Sequence, residues 1–145
     1  IVVMSGLPGS GKSSWIARHG CGRAIVSLDA LREHLDVDPA GGQGRVIAEA
    51  RERARAFLRT GTPFIWDATN ITRRTRDAVV SLADDYGARI RIVALESPFG
   101  EVVLRNGARS GRSHVPEAAI AAMARKWEMP DATECHVFEV SDGSR

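Results

Sequence analysis

Gly6-Leu7-Pro8-Gly9-Ser10-Gly11-Lys12-Ser13 is the stretch on which the fold turns. It fits GxxxxGK[ST] at every fixed position. Ahead of it, residues 1–4 form an apolar run ended by Ser5-Gly6, too short for a helix and read as a buried strand. After it, residues 12–19 read as a short helix closed by Gly20. Strand, glycine-rich turn and helix, in that order, are the context the pattern requires. The glycines let successive backbone N–H groups turn inward around phosphate oxygens, and the helix N-terminus adds partial positive charge. Phosphate binding is therefore expected at Gly6, Pro8, Gly9, Ser10, Gly11, Lys12, Ser13 and Ser14. Lys12 would reach the β- and γ-phosphates and the Ser13 hydroxyl would ligate Mg²⁺. ATP, or another NTP, and Mg²⁺ are the cofactors this implies.

Outward from that motif, strands and helices alternate. Apolar runs at residues 24–28, 63–66, 89–95 and 135–140 read as strands. Residues 30–35, 45–60 and 72–86 read as helices, the second stopped by Gly61 and the third by Gly87. Another helix starts at Pro98 and frays near Gly107, and Pro116-Glu117 opens the last one. Residues 36–44 carry Pro39, Gly41, Gly42 and Gly44 and read as a loop, while residues 141–145 read as a frayed polar tail. Alternation of this kind predicts a parallel sheet covered on both faces.

In such a sheet the ligand lies beyond the carboxyl ends of the strands, where Asp29 and Asp67 both fall. The strand ending in Asp67 has the form of one whose acid holds Mg²⁺. Asp29 can accept the proton of an attacking hydroxyl, or it can merely cap the helix that follows. Arg32, one turn further on, would face the same pocket. An acid that takes a proton beside an arginine that holds phosphate describes a phosphorylated acceptor. Asn70 and Arg73 are candidate acceptor contacts, with capping as the alternative for Asn70. Arg105, Arg109 and Arg112 recur at spacings of four and three and share a face if that stretch is helical. Arginines on a closing lid stabilise the charge of a phosphoryl group in transfer.

With 145 residues the chain fits one domain. A hydrophobic share of 43% and a charged share of 26% exclude a disordered chain, a collagen-like repeat and a coiled coil. Two cysteines exclude a disulfide scaffold and suit a reducing, cytoplasmic setting. The net charge of +2 is too small for a general nucleic-acid coat. Yet among 20 basic residues only Lys12 and Lys126 are lysines, so nearly every cation is a planar fork suited to phosphate. No apolar run approaches the ~20 residues of a membrane span. The chain opens on Ile1, which suggests a domain cut from something longer, with further domains in the full chain.

The segments GLPGSGKSSW, SLDALR, WDATNIT and VLRNGARSGRSHVP, taken together, resemble the P-loop polynucleotide 5′-hydroxyl kinases of phage and bacterial end-healing and RNA-repair enzymes. The resemblance runs from Ile1 to about Val140. It implies an α/β P-loop NTPase fold: an adenylate-kinase-like five-stranded parallel sheet in the order 2-3-1-4-5, with a short arginine-bearing lid. It also implies Mg²⁺-dependent transfer of the ATP γ-phosphate to a 5′-OH nucleic-acid end. Asp29 matches that family's general base and Arg32 the arginine on the acceptor's nearest phosphate. Asp67 matches the acid of the Walker-B-like strand, and Arg105 and Arg109 match the lid arginines. Two departures stand out: residues 36–44 are short and glycine-rich, and no aromatic platform for stacking bases is visible. Two other readings stay open, a P-loop kinase for a small-molecule or tRNA-linked hydroxyl and a non-catalytic ATP-binding module.

Overall fold

The computed structural model describes residues 1–143. Its elements run β1 (Val2–Ser5), α1 (Lys12–His19), β2 (Ala24–Ser27), α2 (Leu28–His34), α3 (Gln43–Thr60) and β3 (Phe64–Asp67). They continue with α4 (Arg73–Asp84), β4 (Arg91–Glu96), α5 (Phe99–Gly107), α6 (Glu117–Lys126) and β5 (Val137–Asp142). The five strands form one parallel sheet in the order β2-β3-β1-β4-β5, the order the resemblance implies.

Period-two alternation of side chains divides the core between the two faces of the sheet. Val3, Phe64, Trp66 and Ile92 point to one face and pack with Val46, Ala50 and Ala54 of α3 and Val79, Leu82 and Ala83 of α4. Val2, Met4, Ile65, Val93 and Leu95 point to the other, over Trp15 of α1. Burial on both faces is why the inner strands read as unbroken apolar runs. A third cluster joins Leu7, inside the glycine-rich turn, to Val102 of α5 and Ile120 of α6. The phosphate loop is thereby anchored in the core by its one large apolar residue.

Several boundaries differ from the sequence-based expectation by one or two residues, and those that bear on the site have a physical reason. β2 stops at Ser27, whose side chain caps α2 by accepting from the backbone N–H of Ala30 at 3.3 Å. Asp29 therefore sits inside the first turn of α2 and is not its cap. α3 begins at Gln43, two residues early, because Gly42 takes a left-handed φ of 65° that turns the chain into the helix. α5 ends at Gly107, where the sequence predicts fraying, so the condition for a helical stripe of Arg105, Arg109 and Arg112 is not met. Finally, β5 runs two residues later than expected, with Ser141 and Asp142 paired to Leu95 and Glu96. A parallel ladder is made by backbone groups, so polar side chains do not end it. Of the expected polar tail, Ser141 and Asp142 are thus strand, and residues 144–145 lie outside the described residues.

Candidate active site

β1 is flanked by β3 and β4, and the chain leaves its carboxyl end into the phosphate loop at the point where strand order reverses. Gly6 N–H donates to the Thr69 carbonyl at 2.8 Å, fastening the loop's start to the segment after β3. Gly9 and Gly11 adopt φ of 81° and 99°. A side chain at Gly9 would collide with the Val102 carbonyl at 2.7 Å, so the close approach of α5 also requires glycine there. The first turn of α1 holds Lys12, Ser13 and Ser14 and no acid, leaving its N–H end open to an anion.

Lys12 folds over this turn. Its Nζ donates to the carbonyls of Gly6 and Leu7, both at 2.9 Å. Burial lowers its pKa to about 8, against the opposing pull of Asp67 and Asp29 and with a contribution from Arg109. Asp67, at the carboxyl end of β3, is half-buried, and desolvation raises its pKa. Asp29 raises it further, while Lys12, a hydrogen bond from Ser27 and Arg109 oppose the rise. These couplings place Lys12, Asp29, Asp67 and Arg109 in one electrostatic neighbourhood.

Asp29 is 73% exposed and its Oδ1 accepts from Arg32 Nη1 at 2.5 Å. Arg32 is more sheltered, and its Nε also donates to Gln43 Oε1 at 2.7 Å. Arg105, in the last turn of α5, is held by Glu101 at 2.9 Å and reaches toward Ser97 and the Gly9 carbonyl. Arg109 has no carboxylate partner among the described residues.

One cleft of about 1060 Å³ collects these groups. Lys12, Ser13, Asp29, Arg32 and Asp67 line it, as do Arg105 and Arg109 and the loop residues Pro8, Gly9, Gly11 and Ser14. Gly6 and Ser10 lie beneath, where Ser10 Oγ is buried without a partner. A shallower depression of about 570 Å³ continues past Arg105 along Ser14, Ala17 and Arg18.

Asn70 and Arg73 lie apart from the cleft. Asn70 is buried at a φ of 45°, its Nδ2 donating to the Met4 carbonyl at 2.8 Å. Its own carbonyl accepts from Ser5 Oγ and from Arg76 Nη1. Arg73 instead reaches Thr133 and Asp131, on the segment that crosses the start of α4. These contacts hold both residues within the fold, and neither lines the cleft where an acceptor contact was expected. Arg76, sixth in from Asn70, is the unforeseen centre of this region: it is fully buried and forms a two-pronged pair with Glu134 at 2.7 and 3.2 Å. Nothing local in the sequence could reveal a pair separated by 58 positions.

The residues fit Mg²⁺ and a polyphosphate. Ser13 and Asp67 offer hard oxygen donors beside a cradle of N–H groups. Among the described residues no three His, Cys, Asp or Glu side chains gather into a metal site. A cation here would thus complete its shell with phosphate oxygens and water, as Mg²⁺ commonly does. Among the described residues no helix is long and apolar enough to cross a membrane.

Comparison with known proteins agrees with this fold. The family model AAA_33, described as an AAA domain, matches residues 1–130. No curated protein matches the chain. A chain of the solved Pnkp1/Rnl/Hen1 complex is 26% identical over 72% of this chain, with a TM-score of 0.65, and this chain spans only 38% of its length. A sugar kinase from Janibacter sp. HTCC2649 is 19% identical, with a TM-score of 0.75 and coverage of 99% of this chain and 85% of that one. The Mycobacterium tuberculosis APS kinase CysC, solved in complex with AMPPNP and APS, is 17% identical, with a TM-score of 0.64 and coverage of 97% and 87%. The architecture is that of the P-loop kinases.

Proposed function

The chain belongs to the AAA_33 family of AAA domains, and from that premise we propose that it is a Mg²⁺-dependent phosphotransferase that moves the γ-phosphate of ATP, or another NTP, to the 5′-OH end of a polynucleotide. The observation that carries this reading is the Asp29–Arg32 pair, which faces Lys12, Ser13 and Asp67 across a single cleft. A module that only stored nucleotide would need no second carboxylate there.

In the reaction, Asp29 accepts the proton of the acceptor hydroxyl as its oxygen bonds to the γ-phosphorus. The bond from that phosphorus to the β–γ bridging oxygen breaks, and its electron pair leaves with the nucleoside diphosphate. Little covalent chemistry is asked of the protein, so positioning and charge do most of the catalysis. Lys12 and the loop N–H groups hold the donor phosphates. Arg109, near Lys12 and without a carboxylate partner, and Arg105, at the Gly9 carbonyl, are placed to meet charge on the phosphoryl group in transfer. Ser13 and Asp67 would hold Mg²⁺, which when bound neutralises phosphate charge. The depression along Ser14 and Arg18 offers room for the nucleoside end of the donor.

Arg32 supports a phosphorylated acceptor. A guanidinium has five N–H donors, and Asp29 and Gln43 take two, leaving three for a phosphate oxygen pair. The likeness to one chain of the Pnkp1/Rnl/Hen1 complex favours a nucleic-acid end, and the cytoplasm is the compartment this reading implies. A second reading, a small hydroxyl acceptor, draws on the near-complete overlap with the sugar kinase. It also draws on the absence of Phe, Tyr and Trp from the described lining of the cleft. An acceptor screen separates the two. Label from γ-³²P-ATP should pass to 5′-OH oligonucleotides. Transfer to sugars or other small alcohols, with none to oligonucleotide ends, would replace the first reading with the second.

A further inference from the structure

Gln43, the first residue of α3, joins Arg32 to the loop that precedes the helix. Its Oε1 accepts from Arg32 Nε at 2.7 Å. Its Nε2 donates into a ring of three carbonyls, those of Asp38 at 2.9 Å, Pro39 at 3.2 Å and Gly41 at 2.8 Å. We propose that Gln43 is a positioning residue for the acceptor, fixing the orientation of Arg32 and tying to it the 38–41 loop that walls the cleft. The proposal rests on the reading of Arg32 as the contact to an acceptor phosphate.

The chemistry of the surroundings allows one orientation of this amide. Turned over, it would aim an NH₂ at a guanidinium and an oxygen at three carbonyl oxygens, both repulsive. Arg32 is consequently gripped at two points, Nε by Gln43 and one Nη1 hydrogen by Asp29. Both Nη2 hydrogens and one on Nη1 keep no partner among the described residues, three charge-assisted donors on adjacent nitrogens for a phosphate. A long arginine side chain otherwise loses rotamer entropy on binding, and prior fixation removes much of that cost. Asp38, Pro39 and Ala40 line the cleft. The same amide that aims the arginine thus also holds the wall beside it. Glycine at position 42 and the tight turn at Asp38, whose Oδ1 accepts from Ala40 N–H at 2.7 Å, shape the loop but do not link it to Arg32. Val37 N–H donates to the Arg32 carbonyl at 2.9 Å, which ties only the backbone, so among the described residues Gln43 alone links the loop to the guanidinium.

The test pairs kinetics with a measurement that needs no activity. Gln43→Ala should raise KM about tenfold for an oligonucleotide acceptor carrying a phosphate next to its 5′-nucleoside, the size expected for loss of a charge-assisted hydrogen bond. KM for ATP, and KM for a 5′-OH nucleoside lacking that phosphate, should not move. Added to Arg32→Ala, Gln43→Ala should cost nothing more, because both act through one guanidinium. Independently, the Arg32 Nε–H resonance in ¹⁵N-labelled protein should exchange slowly with water and become fast in Gln43→Ala. Gln43→Glu keeps an oxygen toward Arg32 but sets the other against the three carbonyls. It should preserve the slow resonance while speeding amide exchange at Ala40 and Gly41. An unmoved resonance in Gln43→Ala, equal KM losses for both acceptor types, or additivity with Arg32→Ala would overturn the proposal. A wild-type protein that phosphorylates no oligonucleotide while the resonance behaves as stated would instead remove the acceptor reading and leave the grip on Arg32 intact.

Discussion

The two sides of the cleft are built differently. The donor side is backbone and core: Leu7 sits in an apolar cluster, Ser10 is buried, Gly6 is bonded across to Thr69, and a half-buried Lys12 is tied to the loop's own carbonyls. The acceptor side is side chains and turns: an Asp29 that is 73% exposed, an amide reaching into a loop, and Arg112 bridging to Asp36. A phosphate cradle shared by many kinases can be fixed rigidly. Acceptor recognition is carried by groups whose replacement disturbs little of the core, which is how one scaffold serves unrelated acceptors.

The sharpest way to separate the two sides is Asp29→Asn. It removes a proton acceptor from the exposed side and nothing from the cradle. Phosphoryl transfer should fall about 10²–10⁴-fold, while nucleotide affinity, read by equilibrium titration, stays unchanged. A parallel fall in nucleotide affinity would mean that Asp29 serves the donor.

Breaking the support of the rigid side comes next. Arg76 pairs with Glu134 in full burial and also donates to the Asn70 carbonyl, so it braces the segment whose Thr69 receives the phosphate loop. Arg76→Ala leaves a buried carboxylate uncompensated and should cost about 3–5 kcal/mol in urea denaturation. Because such a pair is weak evidence for stability in itself, Arg76→Met with Glu134→Leu should recover much of the loss. Failure of that double variant to recover would show that the link to Asn70 matters more than the charge pair.

This contrast also explains what could be read from the chain. The donor side was legible because its information is local: the fixed glycines, Lys12 and Ser13 are consecutive, and the strands on either side are short apolar runs. Asp29 and Asp67 were legible for the same reason, since each directly follows such a run. Long-range pairing was not. Arg73 and Arg76 look like cations crowding a helix start, but their partners Asp131 and Glu134 lie far along the chain. Asn70 reads as an acceptor contact or a cap, yet it is buried with its amide bonded to the end of β1. Ser27 hides its capping role by being the last residue of a strand. Gln43, after two glycines, reads as loop until the three carbonyls around it are seen.

Protonation offers a milder probe of the donor side. Lys12 has a pKa of about 8, lowered by burial. Bound phosphate favours the ammonium and so must raise that value. By linkage, affinity is full below pH 8 and weakens by up to about tenfold per unit as pH rises past 8, until the pKa of the complex is reached. Nucleotide titrations in EDTA between pH 7 and 9.5 should show this slope, and Lys12→Arg should flatten it. A slope that survives Lys12→Arg would assign it elsewhere.

The smallest effect belongs to the acceptor side. Arg112 Nη2 meets Asp36 Oδ1 at 2.5 Å and joins the turn after α5 to the loop after α2. Side-chain hydrogen bonding to Arg112 holds the Asp36 carboxyl below its ordinary range. Both partners are exposed, so the pair is screened by salt and adds little to stability. Its place matters more than its strength. Arg112 lines the cleft, and on the proposed reading its bridge to Asp36 lies on the acceptor's way in. Asp36→Asn should leave the melting temperature unchanged and lower acceptor KM severalfold at low salt, with the difference vanishing near 0.5 M salt, where the Debye length drops to about 4–5 Å. An equal change in the KM for ATP would move the bridge from the acceptor's path to the donor's, and the division between the two sides of the cleft would no longer hold.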